Sequence, residues 1–212
     1  MTKQTIHDIT LPLSESLVVW TGHPNFTITH RTHLSRGDHA TVSNLFFSAH
    51  TGTHVDAPSH FIQDAGTIDN LDLNMLIGEA VVVDAGEREV ISAEFLEESS
   101  IPPGTKRVLF RTNNSKLWSE GKKDFTEEYV GITNTGAEWI VGNGIKLVGT
   151  DYLSVASFSE NVNAHQTLLQ AETILVEGLY LYDIVPGTYQ LICLPLKIAG
   201  AEGAPARVVL VG

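Results

Sequence analysis

The stretch His50-Thr51-Gly52-Thr53-His54-Val55-Asp56-Ala57-Pro58-Ser59-His60 constrains this chain more than any other. It sets three imidazoles and one carboxylate within eleven residues. His50 and His54 have the i, i+4 spacing of a helical metal motif, but Gly52, two β-branched threonines and Pro58 argue against a helix. In an extended chain, positions 50, 54, 56 and 60 fall on one face. A straight strand spreads four residues over roughly 13 Å and ten over roughly 33 Å. Metal ligands lie roughly 2.0–2.2 Å from their ion, so the segment must curl around any ion it binds. Gly52, which tolerates unusual φ/ψ, and Pro58, which ends a strand ladder, are placed to curl it. The plain alternative is a set of ordinary surface or loop histidines. Four candidate ligands on one face, around two backbone breakers, favour a metal site.

The 212 residues, 42% of them hydrophobic, suit one α/β domain with a sizeable core, and no linker divides them. A net charge of −12 argues against nucleic acid or an anionic membrane as partner. The N-terminus lacks a basic region followed by an apolar run, and no stretch approaches 18 apolar residues. A soluble, cytoplasmic protein acting on a small molecule is the expectation. Cys193 is the single cysteine, which excludes an internal disulfide and any multi-cysteine zinc site. Metal ligands must come from His, Asp and Glu.

Strand patterns occupy residues 5–10, 26–33 and 42–49, the last delivering the chain into the His50 segment. Residues 61–75 read as a loop over the site. From residue 80 the pattern changes to short β-branched runs (80–83, 108–112, 145–148, 173–179) alternating with helical segments. Ser92 caps a helix to Ser99, Thr135-Gly136-Ala137-Glu138 fits a capping box, and a third helix covers residues 165–171. This is the alternation of an α/β layer. Residues 191–196 and 207–211 add two strands. Residues 113–132 read as a long polar insertion carrying Trp118, Phe125 and Tyr129, with Lys116, Lys122 and Lys123 solvated.

Glu177 lies in the otherwise apolar run Ile174-Leu175-Val176-Glu177-Gly178-Leu179. A buried carboxylate there needs a partner, since leaving it unpaired costs several kcal/mol. Metal ligation supplies one; Arg111, Arg207 or an outward-facing edge strand would serve instead. His165, twelve residues earlier, reads as a helix-start histidine that is solvated or capping, or that shares a cavity with Glu177. Asp151 orients a ligand histidine or caps a turn. His7, His23, His30, His33 and His39 have no ligand partners at useful spacing.

The motif His-x-Gly-Thr-His-x-Asp-x-Pro-x-His is matched in full by residues 50–60. With His165, Glu177-Gly178-Leu179, Val108–Thr112, Gly149–Tyr152 and Leu194–Lys197, it makes the chain resemble cyclase-like metal-dependent hydrolases. Bacterial kynurenine formamidase, an enzyme of tryptophan catabolism, and isatin hydrolase belong to that family. The resemblance implies an α/β fold of the swivelling β/β/α type with a mixed sheet, assembled as a homodimer or homotetramer. It also implies one or two divalent ions held by His50, His54, Asp56, His165 and Glu177, with His60 as general acid/base and Trp20 against the substrate. The formamidases usually read Trp-Pro-Gly-Asp-Pro where this chain has Trp20-Thr21-Gly22-His23-Pro24, which alters the pocket wall. The alternative for Trp20 is packing at a strand end.

These parts permit hydrolysis of a small amide. Carboxylates bridge ions, and Asp56 and Glu177 are the natural bridges. A metal-held water becomes hydroxide near neutral pH, and His60 could take its proton and return it to the leaving nitrogen. Zn²⁺ and Mn²⁺ both suit His and carboxylate ligands. An aryl formamide such as N-formylkynurenine is the leading substrate. A cyclic amide or lactone, as for isatin hydrolase, is the alternative, and a non-catalytic metal-binding protein is the rival of another class.

Overall fold

The structure is a computed structural model that describes residues 4–122 and 124–212, so Lys123 lies outside the described residues. The first elements are β1 (Ile6–Asp8), β2 (Thr27–Thr32), β3 (Val42–Phe46), β4 (His54–Asp56) and α1 (Leu73–Leu76). The α/β stretch follows as β5 (Ile77–Asp84), α2 (Ala93–Glu98), β6 (Arg107–Arg111), α3 (Asn114–Ser119), α4 (Asn134–Gly142), β7 (Leu147–Thr150), α5 (Asn161–Gln170) and β8 (Ile174–Glu177). Two long strands, β9 (Gly187–Pro195) and β10 (Gly203–Val211), end the chain.

Strands β5, β6, β7 and β8 pair in parallel, as helical crossovers require. The remaining pairings (β8 with β4, β4 with β10, β10 with β9, β9 with β5) are antiparallel and close the mixed sheet into a barrel. β1 extends the edge of β10 beyond the part taken by β4. Side chains alternate across the wall. Leu109, Leu147, Val176, Cys193 and Val208 fill the inside. Val108, Phe110, Val148 and Leu175 face outward against Phe95 of α2, Ile140 of α4 and Leu168 of α5. Burial on both faces explains the unbroken apolar runs in this arc. β2 and β3 form a separate, largely exposed hairpin.

Several boundaries differ from the sequence reading. α5 starts at Asn161, so His165 sits in its second turn rather than opening it. Thr133, not Thr135, caps α4: its hydroxyl accepts from Gly136 N–H, while Glu138 accepts from the Asn134 amide. Within 61–75 only Phe61 reaches the site's cavity. The 113–132 segment contains α3 and an aromatic cluster instead of a uniformly polar loop.

One close approach locks β4 and β8 together at their ends. The Thr53 hydroxyl accepts from Leu11 N–H and donates to the Gly178 carbonyl, and Gly178 N–H donates to the Tyr152 carbonyl. Gly178 has φ +67°, and a Cβ there would lie 2.3 Å from the Gly52 carbonyl oxygen. Gly104 has φ +84° in open space. Gly104→Ala should therefore cost about 1–2 kcal/mol, the left-handed strain alone. Gly178→Ala should cost at least about 3 kcal/mol, because the steric clash adds to that strain. Urea unfolding of the two variants checks this, and equal losses would refute the close-packing argument.

Candidate metal centre

His54 and Asp56 point to the same face of β4, while Val55 between them enters the barrel core. The β4–β8 ladder sets His54 directly opposite Glu177. α5 lies beside this face and contributes His165. Exposure is 0% for His54 and Asp56, 2% for His165 and 4% for Glu177. Four ionisable groups from three distant segments are thus shut off from water together.

The curl expected around Gly52 and Pro58 is present. Gly52 has φ +69°, and Pro58 opens a 3-10 turn over Pro58–His60 that returns the chain toward the site. His50 and His60 end stacked, ring centroids 4.0 Å apart. His50 Nδ1 bonds Asp56 Oδ1 at 2.8 Å, and His60 Nε2 lies 4.0 Å from Asp56 Oδ2. His54 Nε2 is 3.2 Å from Glu177 Oε2 and 3.4 Å from Asp56 Oδ1. His165 Nε2 is 3.2 Å from Glu177 Oε1, which also accepts from Val155 N–H at 2.7 Å. The arginines considered for Glu177 are engaged elsewhere, Arg111 with Asp84 and Arg207 with Asp8.

Two observations fit a cation. His54 Nδ1 meets the Gly52 carbonyl at 2.9 Å and His165 Nδ1 the Asn161 carbonyl at 2.7 Å. Donation there fixes the ring orientation and leaves each Nε2 facing the carboxylates, where loss of its proton would free a lone pair to ligate. His50 Nε2, His54 Nε2 and Asp56 Oδ2 are buried without a hydrogen-bond partner, the nearby carboxylates lying off the hydrogen-bond direction. Such orphans are costly unless something binds them. Two groups have ligand atoms close enough to share an ion: His54 with Asp56 and Glu177, and His50 with Asp56 and His60. Asp56 belongs to both, as a bridging carboxylate would. His60, set outside the ligands by the sequence reading, falls in the same group as His50.

The charges respond to this crowding. Burial opposes ionisation of Asp56, but the His50 and His54 imidazoles hold its carboxyl well below the usual range. Burial and Asp56 push Glu177 up; His165 and His54 outweigh them and bring it below its ordinary value. Burial alone would lower His54, yet Asp56 and Glu177 raise it to about 10. His165 is raised against burial by Glu177. Burial holds His60 below the ordinary imidazole value. Protons on the ligand histidines would thus be displaced on cation binding.

Above these groups opens a cavity of about 170 Å³ whose wall includes Trp20, His23, Phe61, Leu153, Ser154 and Asn161. Phe61 stacks on His165 at 4.4 Å. Trp20 lines the cavity and packs edge-on against Phe125 at 4.9 Å, in a turn rather than at a strand end. His23 was set aside with the partnerless histidines, yet it stands on this wall, 6.2 Å from the His50 ring between centroids. Asn161 and Phe61 were also missed; their adjacency to His165 (four residues on) and to His60 was the available signal. Asp151 touches no ligand: it accepts from Thr112 N–H, the Thr112 hydroxyl and the Ser115 hydroxyl, bracing the turn into α3. Burial pushes its carboxyl up to about 6.

Fold and site together define an α/β barrel with a buried histidine–carboxylate centre suited to divalent cations. A family model described as putative cyclase matches residues 7–157, and the chain belongs to that family. It is 47% identical over 184 residues to cyclase-like protein 2 of Oryza sativa subsp. japonica, covering 84% of this chain and 68% of that one. It is 33% identical over 213 residues to the kynurenine formamidase of Erythrobacter litoralis (strain HTCC2594), covering 98% and 94%. Among solved structures, it resembles one described as a predicted metal-dependent hydrolase from Bacillus stearothermophilus, with TM-score 0.85, 30% identity and 99% coverage of both chains. It also resembles isatin hydrolase A from Labrenzia aggregata, with TM-score 0.85, 25% identity and coverage of 98% and 93%. Hydrolase is the activity these likenesses support. Among the described residues, no helix is long and apolar enough to cross a membrane.

Elemental analysis of purified protein should find divalent metal, and Asp56→Asn, which alters the acid common to both groups, should lose most of it. Metal that binds only the folded state stabilises by about 4 kcal/mol at a thousandfold excess over Kd. Chelation should accordingly lower Tm in the unaltered protein and hardly move it in Asp56→Asn. Full metal content in the variant would count against this centre.

Proposed function

We propose that this protein is a metal-dependent hydrolase of small aryl formamides, with N-formylkynurenine as the leading substrate. The observation that carries the reading is the convergence of His54, Asp56, His165 and Glu177, all buried, with His50 and His60 stacked beside them. His50, His54, Asp56, His165 and Glu177 would hold one or two Zn²⁺ or Mn²⁺ ions. Bound there, such ions supply a water acidified to near neutrality and polarise a carbonyl.

The chain's own residues would do the rest. His60, partly exposed and with its neutral form favoured by burial, can accept a proton at Nε2 and return it to the leaving nitrogen. Trp20 and Phe61 offer flat apolar surfaces to an aryl ring. Glu177, fixed by Val155 N–H, and His165, fixed by the Asn161 carbonyl, are oriented before any substrate arrives. Similarity to isatin hydrolase A supports a second reading, opening of a cyclic amide.

Metal-loaded protein should hydrolyse N-formylkynurenine or, on the second reading, isatin; activity on neither removes both. His60→Ala should lower kcat by about 10²–10⁴-fold, the usual weight of a general acid/base, with metal content intact. Unchanged turnover would refute the proton-transfer role, and loss of one ion per chain would make His60 a ligand instead.

Self-association belongs to the same proposal, a homodimer or homotetramer. Ile28, Val42, Leu45 and Phe46 stand exposed on the β2–β3 hairpin and support it. Sedimentation should give at least twice the 23.1 kDa chain mass; a monomer at micromolar concentration would refute it.

A further inference from the structure

The cavity wall divides chemically. Its floor is the histidine–carboxylate cluster, while its outer wall carries Trp20 and Phe61 beside polar side chains. The Asn161 side-chain amide donates to the Ser154 hydroxyl, and the backbone carbonyl of Asn161 accepts from His165. His23 is different. Its backbone N–H closes a turn onto the Trp20 carbonyl, fixing the residue beside the indole. Its ring lines the cavity, and Nδ1 is shut off from solvent without a hydrogen-bond partner. Among the described residues that line the cavity there is no Lys or Arg, so a carboxylate on the outer part of a substrate finds no ion-pair partner there.

We infer that His23 is a specificity-determining residue that hydrogen-bonds an uncharged polar substituent, a carbonyl or amine, beside the amide on the substrate's aryl ring. A neutral imidazole offers one donor and one acceptor, so it pairs with either kind of group. A ligand whose ring lies against Trp20, with its reacting amide at the floor, brings an ortho substituent to the turn that holds His23. Such a group pairs with Nε2, the ring nitrogen that is not shut off from solvent, whereas an apolar substituent of equal size covers that nitrogen without pairing it. The inference rests on the aryl-amide reading, because it takes the floor as the reacting end.

The test compares two product-like ligands of matched size, 2-aminoacetophenone and 2-ethylaniline, which differ in the carbonyl oxygen. Calorimetric titration into metal-loaded protein should show the ketone binding about tenfold more tightly, the worth of one neutral hydrogen bond. His23→Phe, which keeps a ring, should bring the ratio close to one, and His23→Asn, which keeps donor and acceptor, should retain a preference for the ketone. No preference in the unaltered protein, or a preference that survives in His23→Phe, would overturn the inference. Formanilide hydrolysis by the unaltered protein is measured in parallel. Its absence would sink the proposed reaction, while the binding ratio judges His23 by itself.

Discussion

The antiparallel register of β4 on β8 is the constraint on which the site depends. It sets His54 opposite Glu177 and leaves Asp56 on the same face. A slip of one residue would turn His54 and Asp56 into the apolar barrel and expel Val55, exchanging buried hydrocarbon for buried charge. Such a slip is prohibitive on both counts. The register is also pinned locally, by the Thr53 hydroxyl between Leu11 and Gly178 and by contact of Gly178 with Gly52. Barrel and centre are therefore specified by the same few contacts.

The electrostatics follow from that register. Two carboxylates held together in a buried place repel one another, and Asp56 does raise Glu177. Only surrounding positive charge makes the arrangement tolerable. Imidazolium protons can provide it, and divalent cations would provide it with more charge in less space. The orphaned His50 Nε2, His54 Nε2 and Asp56 Oδ2 favour the second solution, because added protons would still leave the carboxylate atom Oδ2 without a donor. Cation binding and stability of the folded chain are thus two aspects of one balance.

How much of this was legible depended on sequence distance. The His50–His60 segment carried its own evidence, since the even spacing and the two breakers lie within eleven residues. Glu177 stood out because a carboxylate in an apolar strand must be accounted for. His165 was harder: α5 begins without a side-chain cap on Glu160, so no start signal marked Asn161 as the first turn. Two threonines two apart, their hydroxyls 3.0 Å from each other, made the α4 cap ambiguous in the same way. The parallel quartet was readable from its alternation with helices. Closure through β9 and β10 was not, because that pairing is fixed by long-range register and no local pattern announces it. The cavity wall was least legible, being assembled from turns and helix ends that share no periodicity.

That wall also explains why the 113–132 segment matters without covering the pocket. Phe125 and Tyr129 meet Trp20 edge-on, at 4.9 and 6.4 Å, and Tyr129 stacks on Tyr152 at 4.4 Å. The insertion therefore packs behind Trp20, which lines the cavity. Trp20 and His23 share one turn, so the aromatic surface and the free imidazole move together. The floor is held by strand pairing and α5, elements that do not depend on this turn. The histidine–carboxylate cluster and the aromatic part of the cavity wall are for that reason carried by separate parts of the fold. Under the inference drawn for His23, exchanges in this turn would alter substrate choice while leaving the histidine–carboxylate cluster in place.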